Sequence, residues 1–551
     1  MKKIVSILLV CFTMIALTGC EMNNQDKKSE LNPIELVNVD IKPGTVIGQN
    51  NNGIYSFKGI PYATAKRFHS PKPIKKYENG LQNALTYGTV APQDRTSNGN
   101  GKVNDFEFMT PSNGTADMVA NENCQNLNVW TKNLDDKKPV IVFFHGGGLM
   151  NGASSELSTY DGKYFVEKQD AVFVSVNHRL NVLGFLDVSE YGEQYKDSAI
   201  AGIQDCVVAL QWVQDNIEKF GGDPSNVTIL GQSGGGMKVT TLACMSDTVG
   251  LFDKVFVMSG LYSTSTKEDG LENTRLLVNY LNVPESKLMD TLNNMSYEEL
   301  LHATTEAGCQ WNTAAGNGTY EKPLIDPDTG KINEYAAQRK WIWGTTYSEF
   351  TSNATELIAT GNKELAINNT DDEKLKNLVS ETYPVKTKEL MEEFKKAYPN
   401  KNYAELLCLS NTPGMIDRGS DIDQENGILK AFNDSDVEVY NYLVTYTFPF
   451  FDGVTMYHTG DIPFWFNSLD EVNYLIVGDD ENANKLSQQM SSSLAAFIKT
   501  GNPSTKELDW KPYTSKEHHT MVFDINSELK TDFDTKLYSL IKENNEALSQ
   551  N

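Results

Sequence analysis

Positive charge is scarce in this sequence: 48 Lys and Arg stand against 73 Asp and Glu, a formal net charge of −25, and no basic run offsets it. A nucleic-acid groove needs a concentrated positive field to neutralise phosphates, so the composition argues against nucleic-acid binding. The acidity reads as solubility and weak repulsion from anionic surfaces. Cysteine is sparse as well. Seven occur, at 11, 20, 124, 206, 244, 309 and 408, and none form a C-x-x-C pair, so neither a zinc site nor dithiol redox chemistry is suggested. Cys206 and Cys244 lie among apolar neighbours and are expected as small core fillers. Beyond the first twenty residues no apolar run is long enough to span a bilayer. Repeats and long low-complexity linkers are absent after about residue 35, so residues 36–551 are expected to form one domain.

The N-terminus differs from the rest. Lys2 and Lys3 precede an apolar run, residues 4–17, that is short for a membrane span and has the layout of an export signal. It ends in Leu17-Thr18-Gly19-Cys20, which resembles the lipobox of bacterial lipoproteins. That resemblance implies a signal peptide over residues 1–19, lipidation of Cys20 and a place in the bacterial cell envelope, with the membrane touched only through the anchor. The plainer alternative is a secretory signal that happens to contain a cysteine. Residues 20–35 are polar and read as a tether.

Short apolar runs alternate with helical patterns: residues 140–144, 171–176, 226–230 and 255–258 read as strands, and Ile203, Val207, Leu210, Val213 and Ile217 mark an amphipathic helix between the second and third. Buried strands separated by helices imply an α/β fold whose large, mostly parallel central sheet carries helices on both faces. Residues from about 265 to 430 are more polar and are expected as a helical cap or lid. A late strand, residues 437–443, and a helix carrying Leu486, Met490, Leu494 and Phe497 close the domain.

Gly231-Gln232-Ser233-Gly234-Gly235 directly follows the strand at 226–230 and precedes a helix-compatible segment. This is the G-x-S-x-G nucleophile elbow in its strand–turn–helix context, the mark of the α/β-hydrolase fold. Side chains two positions either side of Ser233 would collide with neighbouring elements, and the helix N-terminus favours developing negative charge. Gly231 and Gly236 also have phosphate-loop spacing. That loop needs Lys directly after the second glycine, where Met237 stands, with Lys238 one place late.

His145-Gly146-Gly147-Gly148 follows the strand at 140–144. Acyl transfer builds charge on a carbonyl oxygen and needs preorganised N–H donors. The N–H groups of Gly147, Gly148 and Gly234 are the expected oxyanion hole. In this fold the acid and then the histidine follow the serine. His302 leaves little room for an acid before it, and His518-His519 reads as a solvated turn. His458, in the loop Met456-Tyr457-His458-Thr459-Gly460-Asp461-Ile462-Pro463, is the best base. Glu349, after Trp341 to Trp343 and the turn Gly344-Thr345-Thr346, is one candidate acid among many carboxylates.

Further segments carry a family resemblance: Phe57-Lys58-Gly59-Ile60-Pro61-Tyr62-Ala63 with Arg67-Phe68, Glu122-Asn123-Cys124 through Leu127-Asn128-Val129-Trp130, and Asn177-His178-Arg179-Leu180 with Gly184-Phe185-Leu186. Phe220-Gly221-Gly222-Asp223-Pro224, Thr500-Gly501-Asn502-Pro503 and Met521-Val522-Phe523-Asp524 complete the set. With these the chain resembles the carboxylesterase type B, or cholinesterase-like, family from about residue 40 to 525. The resemblance aligns Gly344 to Glu349 with the family's acid string, which puts the acid on Glu349, and it supports His458. It also implies two structural salt bridges, Arg67 with Glu122 and Arg179 with Asp205. Departures stand beside it. The family's G-E-S-A-G is here Gly231-Gln232-Ser233-Gly234-Gly235, and its C-P-Q string is Ala91-Pro92-Gln93, which leaves Cys124 without that disulfide partner. No Trp precedes the Cys124 signature as in choline-binding members, which argues against cholinesterase activity.

The expected chemistry is hydrolysis of a small-molecule carboxylic ester through an acyl-enzyme on Ser233, with His458 as base and Glu349 as orienting acid. No metal or organic cofactor is called for. Asp421-Ile422-Asp423 looks like a calcium loop, but Asn426 occupies the required glycine position. The alternatives are a non-catalytic, cholinesterase-like surface binding or adhesion protein and a lipase acting on longer acyl chains. Leu149, Met150, Tyr457, Phe464 and Trp465 are candidates for pocket lining or for core.

Overall fold

A computed structural model describes residues 34–93, 118–354, 367–369, 371–411 and 416–550; Cys20, the leader and most of the tether lie outside them. The strands expected from apolar runs sit in the middle of one thirteen-stranded sheet. Its strands are β1 (Glu35–Ile41), β2 (Gly44–Asn51), β3 (Ile54–Pro61), β4 (Leu81–Asn83), β5 (Asn126–Thr131), β6 (Lys138–Phe144) and β7 (Val172–Val176). They continue as β8 (Gly222–Gln232), β9 (Lys254–Met258), β10 (Lys340–Thr346), β11 (Val439–Val444), β12 (His519–Phe523) and β13 (Glu528–Thr531). The spatial order is β1-β2-β3-β5-β7-β6-β8-β9-β10-β11-β12-β13, with β4 beside β2. Every pair from β7 to β12 is parallel, whereas β1-β2, β2-β3, β3-β5, β5-β7 and β12-β13 are antiparallel. Parallel strands are covered on both faces, which is why β7 and β9 are buried at every position.

Helices α1 (Ala201–Asn216), α2 (Gly234–Ala243) and, late in the chain, the long helix Asp480–Thr500 pack on β8. The expected amphipathic helix is α1, but it is more buried than a one-faced stripe. Only Gln204, Gln211, Gln214 and Asp215 along it escape full burial. Its Asp205 is buried because Arg179 meets it: Nε donates to Oδ2 at 2.8 Å and Nη2 to Oδ1 at 2.7 Å.

The polar stretch from about 265 to 430 is helical in part but not one insertion. α3 (Lys267–Leu281), α4 (Glu285–Asn294) and α5 (Tyr297–Glu306) close a small core of their own against Phe68, Val182 and Leu183. α6 (Asp372–Thr382) and α7 (Thr387–Ala397) follow, yet β10 runs between the two groups as a central strand with Trp341, Ile342 and Trp343 fully buried. Arg67 anchors the first group. It donates to Glu122 Oε2 at 2.8 Å and, through Nη1, to the carbonyls of Leu292 and Met295 at 2.8 and 2.7 Å, next to the end of α4.

His518 and His519 correct the expectation of a solvated turn. His518 sits at φ 48° with its ring stacked on Tyr513, while His519 opens β12 and is buried. The apolar Met521, Val522 and Phe523 that follow draw it into the sheet. Cys124, Cys206, Cys244, Cys309 and Cys408 are all free and buried.

Candidate active site

The site lies at the carboxyl ends of three adjacent parallel strands, where an open α/β sheet offers its crevice. Ser233 follows β8, Ser259 follows β9 and Glu349 follows β10, and these three non-glycine residues have φ of 57°, 46° and 45°. Such backbone costs about 1–3 kcal/mol per residue and persists where the surroundings enforce it. The enforcement is visible: Ser233 N–H donates to the Met258 carbonyl at 2.9 Å, and Ser259 N–H to that of Gly344 at 2.8 Å. The elbow glycines are steric necessities. A Cβ on Gly231 would stand 2.2 Å from the Gly235 backbone, and one on Gly235 would stand 2.0 Å from the Phe144 carbonyl oxygen.

Glu349 and His458 meet as the sequence reading expects. His458 Nδ1 lies 2.5 Å from Glu349 Oε2, and the His458 N–H donates to the Glu349 carbonyl at 3.0 Å. The other carboxylate oxygen, Oε1, accepts from Ser259 Oγ and from the Thr346 N–H, each at 2.7 Å. Both carboxylate oxygens are thus engaged, and the imidazole is held by side chain and backbone together. The face of His458 lies against Phe350, ring centroids 4.2 Å apart.

Gln232, the residue before Ser233, is buried and places its amide nitrogen 3.1 Å from His458 Nε2. With the Nδ1 proton directed to Glu349, Nε2 is the acceptor and the amide N–H donates to it. The Glu349 contact sets this tautomer, and the amide must release the Nε2 lone pair before another donor can use it. Ser259 and Phe350 carry no signal of their own in the sequence, and Gln232 only that of a departure from the family's string, because their contacts depend on which strand tips lie side by side.

The glycines expected as donors are together. Gly147 and Gly148 have φ of 82° and 62°, and a Cβ added to Gly234 would fall 2.1 Å from the Gly148 carbonyl oxygen. The loop is held from several sides. Gln93 donates to the Gly152 carbonyl at 3.0 Å and accepts from its N–H at 2.8 Å. Asn181 donates its N–H to the Leu149 carbonyl at 2.7 Å, and the rings of His145 and His178 stack with centroids 5.0 Å apart. Burial, reinforced by nearby Lys238, keeps both imidazoles neutral, well below the ordinary imidazole range.

Behind His458 lies Asp461. It is fully buried; its Oδ2 accepts from Trp465 Nε1 at 3.1 Å and from the Tyr442 hydroxyl at 3.3 Å, while Oδ1 has no partner among the described residues. Burial, and then the charge of Glu349, push its carboxyl up to about 7. Of the suggested lining residues, Met150 is exposed, whereas Leu149, Tyr457, Phe464 and Trp465 are buried core.

A family model described as the carboxylesterase family matches residues 35–541. The chain belongs to the carboxylesterase family. As a member it is a carboxylic-ester hydrolase with the α/β-hydrolase fold. The carboxylesterase is 29% identical to para-nitrobenzyl esterase of Bacillus subtilis over 509 residues, covering 89% of this chain and 95% of that one. It is 28% identical to esterase FE4 of Myzus persicae over 560 residues, covering 93% and 91%. Among solved structures it is similar to an esterase from anaerobic Clostridium hathewayi that can hydrolyse aliphatic aromatic polyesters. There the TM-score is 0.81 and the identity 31%, with 93% of this chain and all of that chain covered.

Proposed function

We propose that this carboxylesterase hydrolyses apolar carboxylic esters through an acyl-enzyme on Ser233. The observation that carries the reading is the contact of His458 with Glu349 at 2.5 Å, beside the strained elbow that bears Ser233. His458 Nε2 takes the Ser233 hydroxyl proton as Oγ attacks the ester carbonyl, and its Nδ1–H stays on Glu349, which stabilises the imidazolium. The N–H groups of Gly147, Gly148 and Gly234 receive the oxyanion; one such donor is worth about 2.7–4 kcal/mol. The imidazolium then protonates the leaving alcohol. Water, deprotonated by the same imidazole, cleaves the acyl-enzyme and restores Ser233.

Apolar substrates are supported by the exposed side chains of Phe350, against His458, and Met150, in the oxyanion loop, both left at the site. The likeness to an esterase acting on aliphatic aromatic polyesters supports the same class. Burst kinetics with p-nitrophenyl butyrate and benzoate test the reading: a burst equal to enzyme concentration and absent from Ser233→Ala is expected. Turnover that survives in Ser233→Ala would overturn it, and so would a folded wild type that neither turns over nor takes a fluorophosphonate label, the behaviour of a binding protein.

For the N-terminus the reading is export and lipidation at Cys20, supported by Leu17-Thr18-Gly19-Cys20 after the apolar run. Incorporation of an alkynyl fatty acid into the full chain in bacterial cells, lost in Cys20→Ala, is the expected result. Equal labelling of both would end it.

A further inference from the structure

The mechanism leaves the buried charge of Lys238 unused. Lys238 lies on α2, five residues after Ser233, and is fully buried. Its Nζ donates to the carbonyl oxygen of His145 at 2.9 Å, and it makes no ion pair among the described residues. Burying an ammonium without a carboxylate is costly, and an apolar side chain of similar length would fill the same space without that cost. The bond it makes therefore points to its purpose.

His145 is the first residue of the loop that carries Gly147 and Gly148, whereas Lys238 belongs to the helix whose first residue, Gly234, carries the third donor. The bond crosses between the two segments that must together form the oxyanion hole. No strand pairing holds them there, because β6 ends at Phe144 and β8 at Gln232.

We propose that Lys238 is a positioning residue of the oxyanion hole, its ammonium clamping the His145 carbonyl and so fixing Gly147 and Gly148 against Gly234. The proposal rests on the acyl-enzyme reading above. The groups facing Lys238 are the Cys206 thiol on α1, Glu156 beyond the loop, and the stacked imidazoles of His145 and His178. Burial brings the ammonium down to about 8, while Cys206 is pushed well above the ordinary thiol range and both imidazoles are neutral. Lys238 is thus the group in this cluster that loses its proton in mildly alkaline solution, and a neutral amine holds a carbonyl less strongly than an ammonium does.

The test compares wild type with Lys238→Met, with active sites counted by fluorophosphonate titration run to completion. Per titrated site, kcat for p-nitrophenyl butyrate falls about 10- to 100-fold with KM within about 2-fold, as for a misplaced oxyanion donor. The inhibition constant of an alkyl trifluoromethyl ketone, whose serine adduct carries the oxyanion, rises by the same factor. In wild type the ketone weakens as pH rises through about 8, and in the variant it does not. If kcat per site stays within about 2-fold, or if kcat and ketone affinity move out of step, the proposal is overturned. Should Lys238→Met not fold, Lys238→Leu takes its place under the same criteria, and an unchanged kcat per site in it overturns the proposal. Loss of activity in Ser233→Ala together with an unaffected Lys238→Met would discard the clamp and keep the acyl-enzyme reading; activity retained in Ser233→Ala would discard both.

Discussion

The carbonyl oxygen of Gly148 occupies the space that the Cβ of residue 234 would need, 2.1 Å from it, with the Gly148 Cα and carbonyl carbon at 2.5 Å. The elbow and the oxyanion loop are in backbone-to-backbone contact, closer than any side chain permits. At this position the sequence departs from the family's G-E-S-A-G, and here the loop backbone fills the volume that an alanine methyl would need.

Restoring the family residue should therefore harm this protein. Gly234→Ala keeps the N–H donor but must push Gly148 away, since backbone cannot yield as a flexible side-chain end can. A displacement of about 1 Å in a donor costs on the order of 100-fold in rate. The expected result is a kcat lowered by about that factor, KM little changed and a normal content of titratable Ser233, measured by steady-state kinetics with active-site titration. Wild-type kcat in the variant would show that the loop accommodates the methyl without cost.

Much of this site was legible in the sequence because its parts are local. The elbow and the glycine run each announce themselves within five residues, and chain order left His458 as the base. What was not legible depends on the sheet. Ser259 reaches Glu349 because β9 lies between β8 and β10. The buried pair Arg418–Asp534, Nε to Oδ2 at 2.6 Å, joins residues 116 positions apart. The β10 strand falls inside the expected cap because its seven residues stand between long polar segments. The acid Glu349 needed the family resemblance, since a carboxylate in a loop carries no local mark of the imidazole it will meet.

Gln232 sets a second prediction. A neutral amide 3.1 Å from His458 Nε2 adds no charge to the ring. A carboxylate in its place favours the imidazolium, and the base must be neutral to act. Opposite charges this close displace a titration by about 1–3 pH units. In Gln232→Glu the acidic limb of kcat/KM should move up by about that amount, with the plateau at high pH largely kept. A limb at the wild-type position would mean that residue 232 and His458 are not in contact in the working enzyme.

Asp461 sets the third. Its folded carboxyl is raised from 3.8 to about 7, chiefly by burial and then by Glu349. Between those two pH values the folded protein keeps a proton that the unfolded chain gives up. Stability that this carboxyl contributes is thus complete below the lower value and is lost as pH rises toward about 7, with no further change above it. Asp461→Asn cannot titrate, and its amide oxygen still accepts from Trp465 and Tyr442. Denaturant unfolding of both proteins across this range should show wild type losing ground to the variant as pH increases, then a constant difference above about 7. A difference that does not vary with pH would mean that Asp461 is ionised in the fold at all of these values, against the burial that argues for its proton.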